Sequence, residues 1–388
     1  MNISRIDSNR TASPLACEWR QREELLLAPY AMFSKNSVGR RYAEPMHAYR
    51  SPFQRDRDRI LHSAAFRRLS GKMQVFTGEM GDYHRTRLTH THEVATVART
   101  LGRVLRLNED LIEALALLHD IGHPPFGHSG EDALSRAFAE VGGFSHNQFA
   151  LILVEELETR YTTYPGLNLT KEVLAGQAFR IMHAGEIPVL EVQVVDLADN
   201  LAYNAHDVDD AIALGLIKMQ QLETLDLVQR ALDWGAAKSQ SPTERAQRQS
   251  LVHSLIDVQV ADLLVTSTDK LSDVKQLDSM AIREIGMELN LSPAIASERE
   301  QLSQFLFDQV YRHPDLIAMR ERAAMRVSRL VELLVKSPHY LPNRFLDRAQ
   351  KVGVQVAVRD YIAGMTDRFC DAQYRSLIEL GETKALDW

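Results

Sequence analysis

Cysteine is scarce. The 388 residues contain two, Cys17 and Cys370, so one disulfide is the most that can form and a disulfide-stapled extracellular scaffold is excluded. The opening stretch MNISRIDSNR has no apolar signal segment, and a reducing, bacterial-type cytoplasm is the expected location. No window approaches 18 residues free of charge, so no segment is expected to span a membrane. Positive charge is not in excess: 45 Lys and Arg face 52 Asp and Glu, for a formal charge of -7. Nothing draws the whole chain toward nucleic acid, although a local basic patch can still act. Alternating strand patterns are rare, and neither internal repeats nor low-complexity tracts occur.

What is present is apolar periodicity at helical spacing along most of the chain. With 45% hydrophobic and 25% charged residues, the composition fits a globular protein able to bury a large core. The spacing predicts a short helix near CEWRQREELL and a helix starting near Phe53 with Pro52 in its first turn. It then predicts a helix from about Thr89 to Leu105 and another capped by Asn108, whose Leu111, Leu115 and Leu118 share a buried face. That helix stops before Pro124-Pro125. Ser129 with Asp132, and Ser145 with Gln148, resemble capping boxes on either side of the breaker Gly142-Gly143. Further helices are expected at about 171 to 182, 187 to 204 and 208 to 235, with an exposed crossing over 235 to 250. An Arg-rich helix over 317 to 336 precedes the breaker run SPHYLPNR. The brief alternation MQVFTG, 73 to 78, suits only a short hairpin.

Histidine is concentrated. Seven of the 14, at 84, 90, 92, 119, 123, 128 and 146, lie in one stretch, far above an even share. Imidazoles mixed with carboxylates suit a borderline divalent metal better than an all-oxygen calcium cage. His119-Asp120 ends the apolar run LIEALALL, where an unpartnered carboxylate would be costly. In VLEVQVVDLADNLAYNAHDVDD, a stripe of Val194, Leu197 and Leu201 leaves Asp196, Asp199, Asn200, Tyr203 and Asp207 around it. Asp199 and Tyr203, one turn apart, can share a cavity. A solvated polar flank is the competing interpretation, and a helix-capping role for Asp207 is another.

His90, then His119-Asp120, then Asp199 resemble the H…HD…D metal pattern of the HD phosphohydrolase superfamily. RLTHTHEV, LLHDIGHPPFGHSGE, SHNQ, DLADNLAYNAHD and DYIAGMTDRF are similar to the bacterial deoxyguanosinetriphosphate triphosphohydrolase-like branch, and the resemblance covers most of the chain. It implies an all-α fold: an N-terminal arm over 1-55, an HD-domain helical core over 56-235, and an additional helical C-terminal region over 236-388 completing the same globular unit. It implies one divalent ion per active site held by His90, His119, Asp120 and Asp199. Mn²⁺ or Mg²⁺ is favoured, with Fe, Co, Ni or Zn left open.

The implied reaction is hydrolysis of a dNTP at its α-phosphorus, giving a deoxynucleoside and inorganic tripolyphosphate. His128 and Glu131 are the expected acid-base pair, three residues apart at a helix start, with His146 nearby. His123 is expected beside the phosphates. Arg87 is the expected phosphate clamp, since a guanidinium can bind two oxygens at once. Tyr203, Asp207 and Gln74 are expected at the deoxyribose, and Asn200 supports a phosphate contact less well than the charged residue of some relatives. The physical role of DYIAGMTDRFC stays open. The resemblance also implies a homo-oligomer, with a hexamer favoured, and leaves activation by a dNTP open. The basic segment YRSPFQRDRDRILHSAAFRRL offers a surface for single-stranded DNA. The alternatives are an HD-type enzyme acting on nucleoside monophosphates or related phosphoesters, and a noncatalytic nucleotide sensor.

Overall fold

The segment EDLIEALALL is apolar on almost every side, and a helix of that kind must be surrounded. It forms Glu109–Leu118, packed by Pro52–Leu61, Arg87–Val104, Lys171–Met182 and Leu190–Ala213. Leu111, Leu115 and Leu118 are all buried, each stabilising the fold by about 1.5–3 kcal/mol. Asn108 caps the helix by accepting from the Leu111 amide at 3.3 Å, and Glu109 and Asp110 occupy its first turn, where the helix dipole favours negative charge. The computed structural model describes residues 19–74, 85–182, 187–236 and 243–388. Among them are 18 α-helices, and the only β pairing is two isolated bridges. The fold is all-α, as the periodicity required.

Several local expectations hold and several are corrected. Trp19–Leu26 is the short helix near CEWRQREELL. Pro52 opens Pro52–Leu61 behind a full capping box made by Ser51 and Gln54. The Met73–Thr86 bridge closes the segment in which a hairpin was expected, but residues 75 to 84, His84 included, lie outside the described residues, as does Cys17. Cys370 is buried as a free thiol.

Ser129 caps nothing. The helix starts earlier, at Gly127, behind a left-handed Phe126 (φ 62°), and Ser129 is buried within it. Ser145 does stand at the N-cap of His146–Ile152, but its side chain makes no cap bond. Glu131 takes the orphan amide instead, accepting from His146 N at 2.9 Å. The break expected between 204 and 208 is absent: Leu190–Ala213 is one helix, and it ends next to Gly215, whose φ of 72° turns the chain. Asp207 is therefore a mid-helix residue and not a cap. Of the expected crossing over 235 to 250, residues 237 to 242 lie outside the described residues, and Glu244–Ser272 is already helical.

The C-terminal helices pack onto the elements that carry the histidines. Pro314–Lys336 lies against Gly127–Ala137, Val354–Ala363 and Asp367–Tyr374. Glu244–Ser272 packs on Leu190–Ala213 and Asp226–Ala236. Among the described residues it is the one helix long and apolar enough to cross a membrane by length and composition, and its Leu251, Leu255, Val258 and Leu263 are buried in the protein. Leu190–Ala213 serves two apolar cores. Its Ala198, Leu201 and Ala202 belong to the larger one and its Ala205, Val208 and Ala211 to the smaller.

Candidate active site

Three helices deliver the histidines and acids to one place. Arg87–Val104 begins behind Thr86, whose hydroxyl accepts from Thr89 N, and sets His90 in its first turn. Glu109–Leu118 ends at His119-Asp120. Leu190–Ala213 presents Asp199 at its midpoint. His90 Nε2 lies 3.1 Å from Asp199 Oδ1; His119 Nε2 is 3.7 Å from the same oxygen and 3.6 Å from Asp120 Oδ1. The ligand atoms of His90, His119 and Asp120 all fall within 4.8 Å of one another.

One atom tests whether a metal fits. His119 Nδ1 donates to the Ala116 carbonyl at 2.6 Å, which leaves a lone pair on Nε2, and that buried nitrogen has no hydrogen-bond partner among the described residues. A buried acceptor left bare is costly. Burial also pushes the His119 pKa down, which favours the neutral ring, the form that donates to a metal. Two imidazoles, one with its ring nitrogen orphaned, and two carboxylates fit a divalent ion.

Cations hold the acids in place. Arg87, 2% exposed, donates from Nη1 to Asp120 Oδ2 at 2.8 Å, and its Nη2 donates to the Gln74 carbonyl. Gly127 makes room for it, because a Cβ there would sit 2.9 Å from Nη2. Arg180 lies between Asp196 and Asp199, its Nη1 3.4 Å from Asp199 Oδ2. Behind His90, the Nδ1 atoms of His90 and His206 share a hydrogen bond of 3.2 Å. Arg180 carried no local signal in the sequence. His206 could have been found, because it falls two turns after Asp199 on the same helix.

A second group adjoins the first. His123 Nδ1 is 3.0 Å from Asp120 Oδ1, and its ring stacks on His146 with centroids 3.8 Å apart. His146 Nδ1 lies 2.8 Å from Glu131 Oε1. His128 is more distant, with Nδ1 3.6 Å from Glu131 Oε2 and 60% of its side chain exposed. The closer imidazole partner of Glu131 is thus His146. Burial raises the Glu131 pKa, but hydrogen bonds from His128 and His146 outweigh it and hold the carboxyl well below its usual range. Burial, with Arg87 adding to it, keeps His123 well below the usual imidazole value.

The third group sits one and two turns beyond Asp199. Tyr311, from the C-terminal part, donates its hydroxyl to Asp207 and lies 2.9 Å from the Tyr203 hydroxyl, while Arg320 donates to the Tyr311 carbonyl at 3.3 Å. Burial raises the pKa of Asp207 well above the carboxylate range and that of Tyr203 as well. Among the described residues, Asp207 Oδ1 and Gln74 Oε1 are buried without partners. Tyr311 lay beyond the motifs and gave no sign of its place. Asn200 points away, exposed, with Nδ2 bonded to the Asp196 carbonyl.

The basic segment is largely spent internally. Arg50 pairs with Asp58, Arg55 and Arg59 with Glu44, Arg57 with Asp58 and Glu113, and Arg68 lies 4.0 Å over the Trp388 ring.

Separated His and Asp residues gathered around one point on a helical fold are those of an HD domain, whose model matches residues 87–204. A phosphohydrolase-associated domain model matches residues 289–376. The chain is 40% identical to a deoxyguanosinetriphosphate triphosphohydrolase-like protein of Nitrosomonas europaea over 92% of its own length and 99% of that protein's. Similar proteins of the same description occur in Geobacter metallireducens (40% identity, 93% and 97% covered) and Thiobacillus denitrificans (41%, 92% and 98%). The chain belongs to the deoxyguanosinetriphosphate triphosphohydrolase-like family.

Proposed function

We propose that this protein hydrolyses deoxynucleoside triphosphates at the α-phosphorus, releasing a deoxynucleoside and inorganic tripolyphosphate. The observation that carries the reading is His119 Nε2, without a hydrogen-bond partner among the described residues, facing His90, Asp120 and Asp199, beside an imidazole-carboxylate group. A divalent ion held by these four residues would supply Lewis-acid polarisation of the α-phosphate and acidify the attacking water. Water oxygen bonds to phosphorus, the bond from phosphorus to the 5' oxygen breaks, and that oxygen takes up a proton.

The chain's own groups meet the remaining needs. Ionised Glu131 accepts the proton of the attacking water, and His146 or His128 returns one to the leaving oxygen. His123, lying between Asp120 and His146, contacts the phosphates. Arg87 holds Asp120 and reaches a phosphate oxygen from the same buried position. Tyr203 packs on the deoxyribose where a 2'-hydroxyl would need space, while Asp207 and Gln74 meet its 3'-hydroxyl. Tyr311 orients both Tyr203 and Asp207.

The test is a matrix of metals and dNTPs, singly and mixed, with the products identified. Tripolyphosphate and deoxynucleoside are expected with Mn²⁺ or Mg²⁺, and both should vanish in His119→Ala and Asp120→Ala chains of unchanged helicity. Orthophosphate from a nucleoside monophosphate would replace this reading with the phosphomonoesterase alternative. Tight nucleotide binding without turnover under every metal would replace it with a sensor.

A further inference from the structure

The motif DYIAGMTDRFC lies far in sequence from the histidines of the candidate site, yet it touches the turn between His123 and His128. Asp367 opens the helix Asp367–Tyr374, and its carboxylate accepts two backbone amides from elsewhere in the chain. Phe126 N donates to Oδ1 at 2.8 Å and Met73 N to Oδ2 at 3.0 Å. Neither amide has a helical partner: Phe126 stands at the N-cap of Gly127–Ala137, and Met73 lies in an isolated bridge. Lys72 joins the same junction. Its side chain is 1% exposed, and its Nζ donates to the carbonyls of His123 and Ala363, so it ties the histidine turn to the motif a second time. The Thr366 methyl lies over Gly71, where a Cβ would come within 2.8 Å of it.

The turn needs an external hold. Phe126 has φ 62° and Gly127 φ 55°, and a bulky residue in the left-handed region is strained unless its surroundings enforce it. That conformation directs His128 and Glu131 back toward His123. On the other side, Met73 precedes Gln74, whose carbonyl accepts from Arg87. One carboxylate therefore fixes the turn bearing His123, His128 and Glu131 and the segment bearing Gln74.

We propose that Asp367, assisted by Lys72, is a positioning residue for the active site: it clamps the left-handed Phe126-Gly127 turn and the Met73-Gln74 segment in register with each other. Its catalytic consequence rests on the hydrolase reading above, whereas the clamp can be read without turnover. Asp367 touches none of the candidate metal ligands, and its effect is on geometry, where a displacement of about 1 Å can cost roughly 100-fold in rate.

The experiment is hydrogen-deuterium exchange of the full-length protein at single-residue resolution, with steady-state kinetics on dNTP and metal content per chain measured in parallel. In the wild type, the Met73 and Phe126 amides should exchange slowly although both lie outside helices; fast exchange at either would overturn the proposal with no variant needed. Asp367→Asn keeps the shape but offers one oxygen and turns an NH₂ group toward the second amide. These two amides should then exchange roughly tenfold faster or more, while those of Glu109–Leu118 stay protected. The value of kcat should fall about 10- to 100-fold with metal content unchanged. Lys72→Met, which keeps the volume and removes the donor, should loosen the same turn. Wild-type exchange and wild-type kcat in a folded Asp367→Asn chain would reject the clamp. Absence of dNTP turnover in the wild type would reject the hydrolase reading and leave the exchange result to decide the clamp.

Discussion

Glu131 does two jobs that pull on one carboxylate. Its Oε1 accepts both the His146 amide at 2.9 Å and the His146 ring nitrogen at 2.8 Å, so the group that caps a helix also faces an imidazole. Burial resists its charge, but the hydrogen bonds from His128 and His146 win and lower its pKa. A carboxyl whose folded pKa lies below its ordinary value of 4.5 contributes stability above that pH and loses it as the pH falls further, because the unfolded chain takes up the proton first. Glu131→Gln should therefore melt below the wild type at neutral pH, with the gap narrowing as the pH drops below about 4.5. The amide oxygen can still accept the His146 amide, so lost capping should account for no more than about 1 kcal/mol. As the proton acceptor disappears, kcat should fall about 10²- to 10⁴-fold while metal content stays the same. Tripolyphosphate assays and thermal melts across pH read both effects; an unchanged kcat would remove Glu131 from the acid-base pair.

Helices bring these side chains together only because their backbones can approach closely. At Gly122, in the turn after His119-Asp120, a Cβ would stand 2.0 Å from the His146 carbonyl oxygen and 2.5 Å from Ala150 N. Backbone at that distance cannot step aside cheaply, so Gly122→Ala must push His146–Ile152 away from the turn and separate His146 from His123. Destabilisation of about 1–3 kcal/mol is expected, together with a fall in kcat larger than the change in metal affinity. Calorimetric metal titration beside kinetics separates the two, and equal losses in both would place the damage at the metal instead. The same close contacts explain which parts of the fold and site were legible in the sequence. Helix existence followed from apolar period, and His90, His119, Asp120 and Asp199 followed from histidine density and the family pattern. The start of Gly127–Ala137 and the true cap of His146–Ile152 were hidden, since a left-handed Phe and a distant Glu131 replaced the serines that local rules favour. Arg180, Tyr311 and Lys72 act across the fold and nothing in their own neighbourhoods marks them, while Asp367 stood in a motif, DYIAGMTDRF, whose local sequence gave no role.

Across the whole molecule, the helix Leu190–Ala213 is shared by two apolar cores, with Leu201 in the larger and Val208 in the smaller. The candidate site lies along that seam: Asp199 faces the histidines, Asp207 meets Tyr311 from the C-terminal part, and Asp367 from the same part clamps the turn beneath His123. Neither core can lose its partner without exposing a face of this helix and freeing a buried charged or polar group, both of which are costly. We therefore propose that residues 236–388 complete one cooperative unit with the HD core. Chains of this length commonly unfold through intermediates, so the expectation is sharp. Calorimetry should give a single transition with calorimetric and van't Hoff enthalpies in agreement. Saturating Mn²⁺ should move that whole transition upward, by about 2.7 kcal/mol at 100 times its dissociation constant. Two separated transitions, with only one displaced by metal, would show that the C-terminal helices unfold independently and that Tyr311 and Asp367 are borrowed from a separate domain.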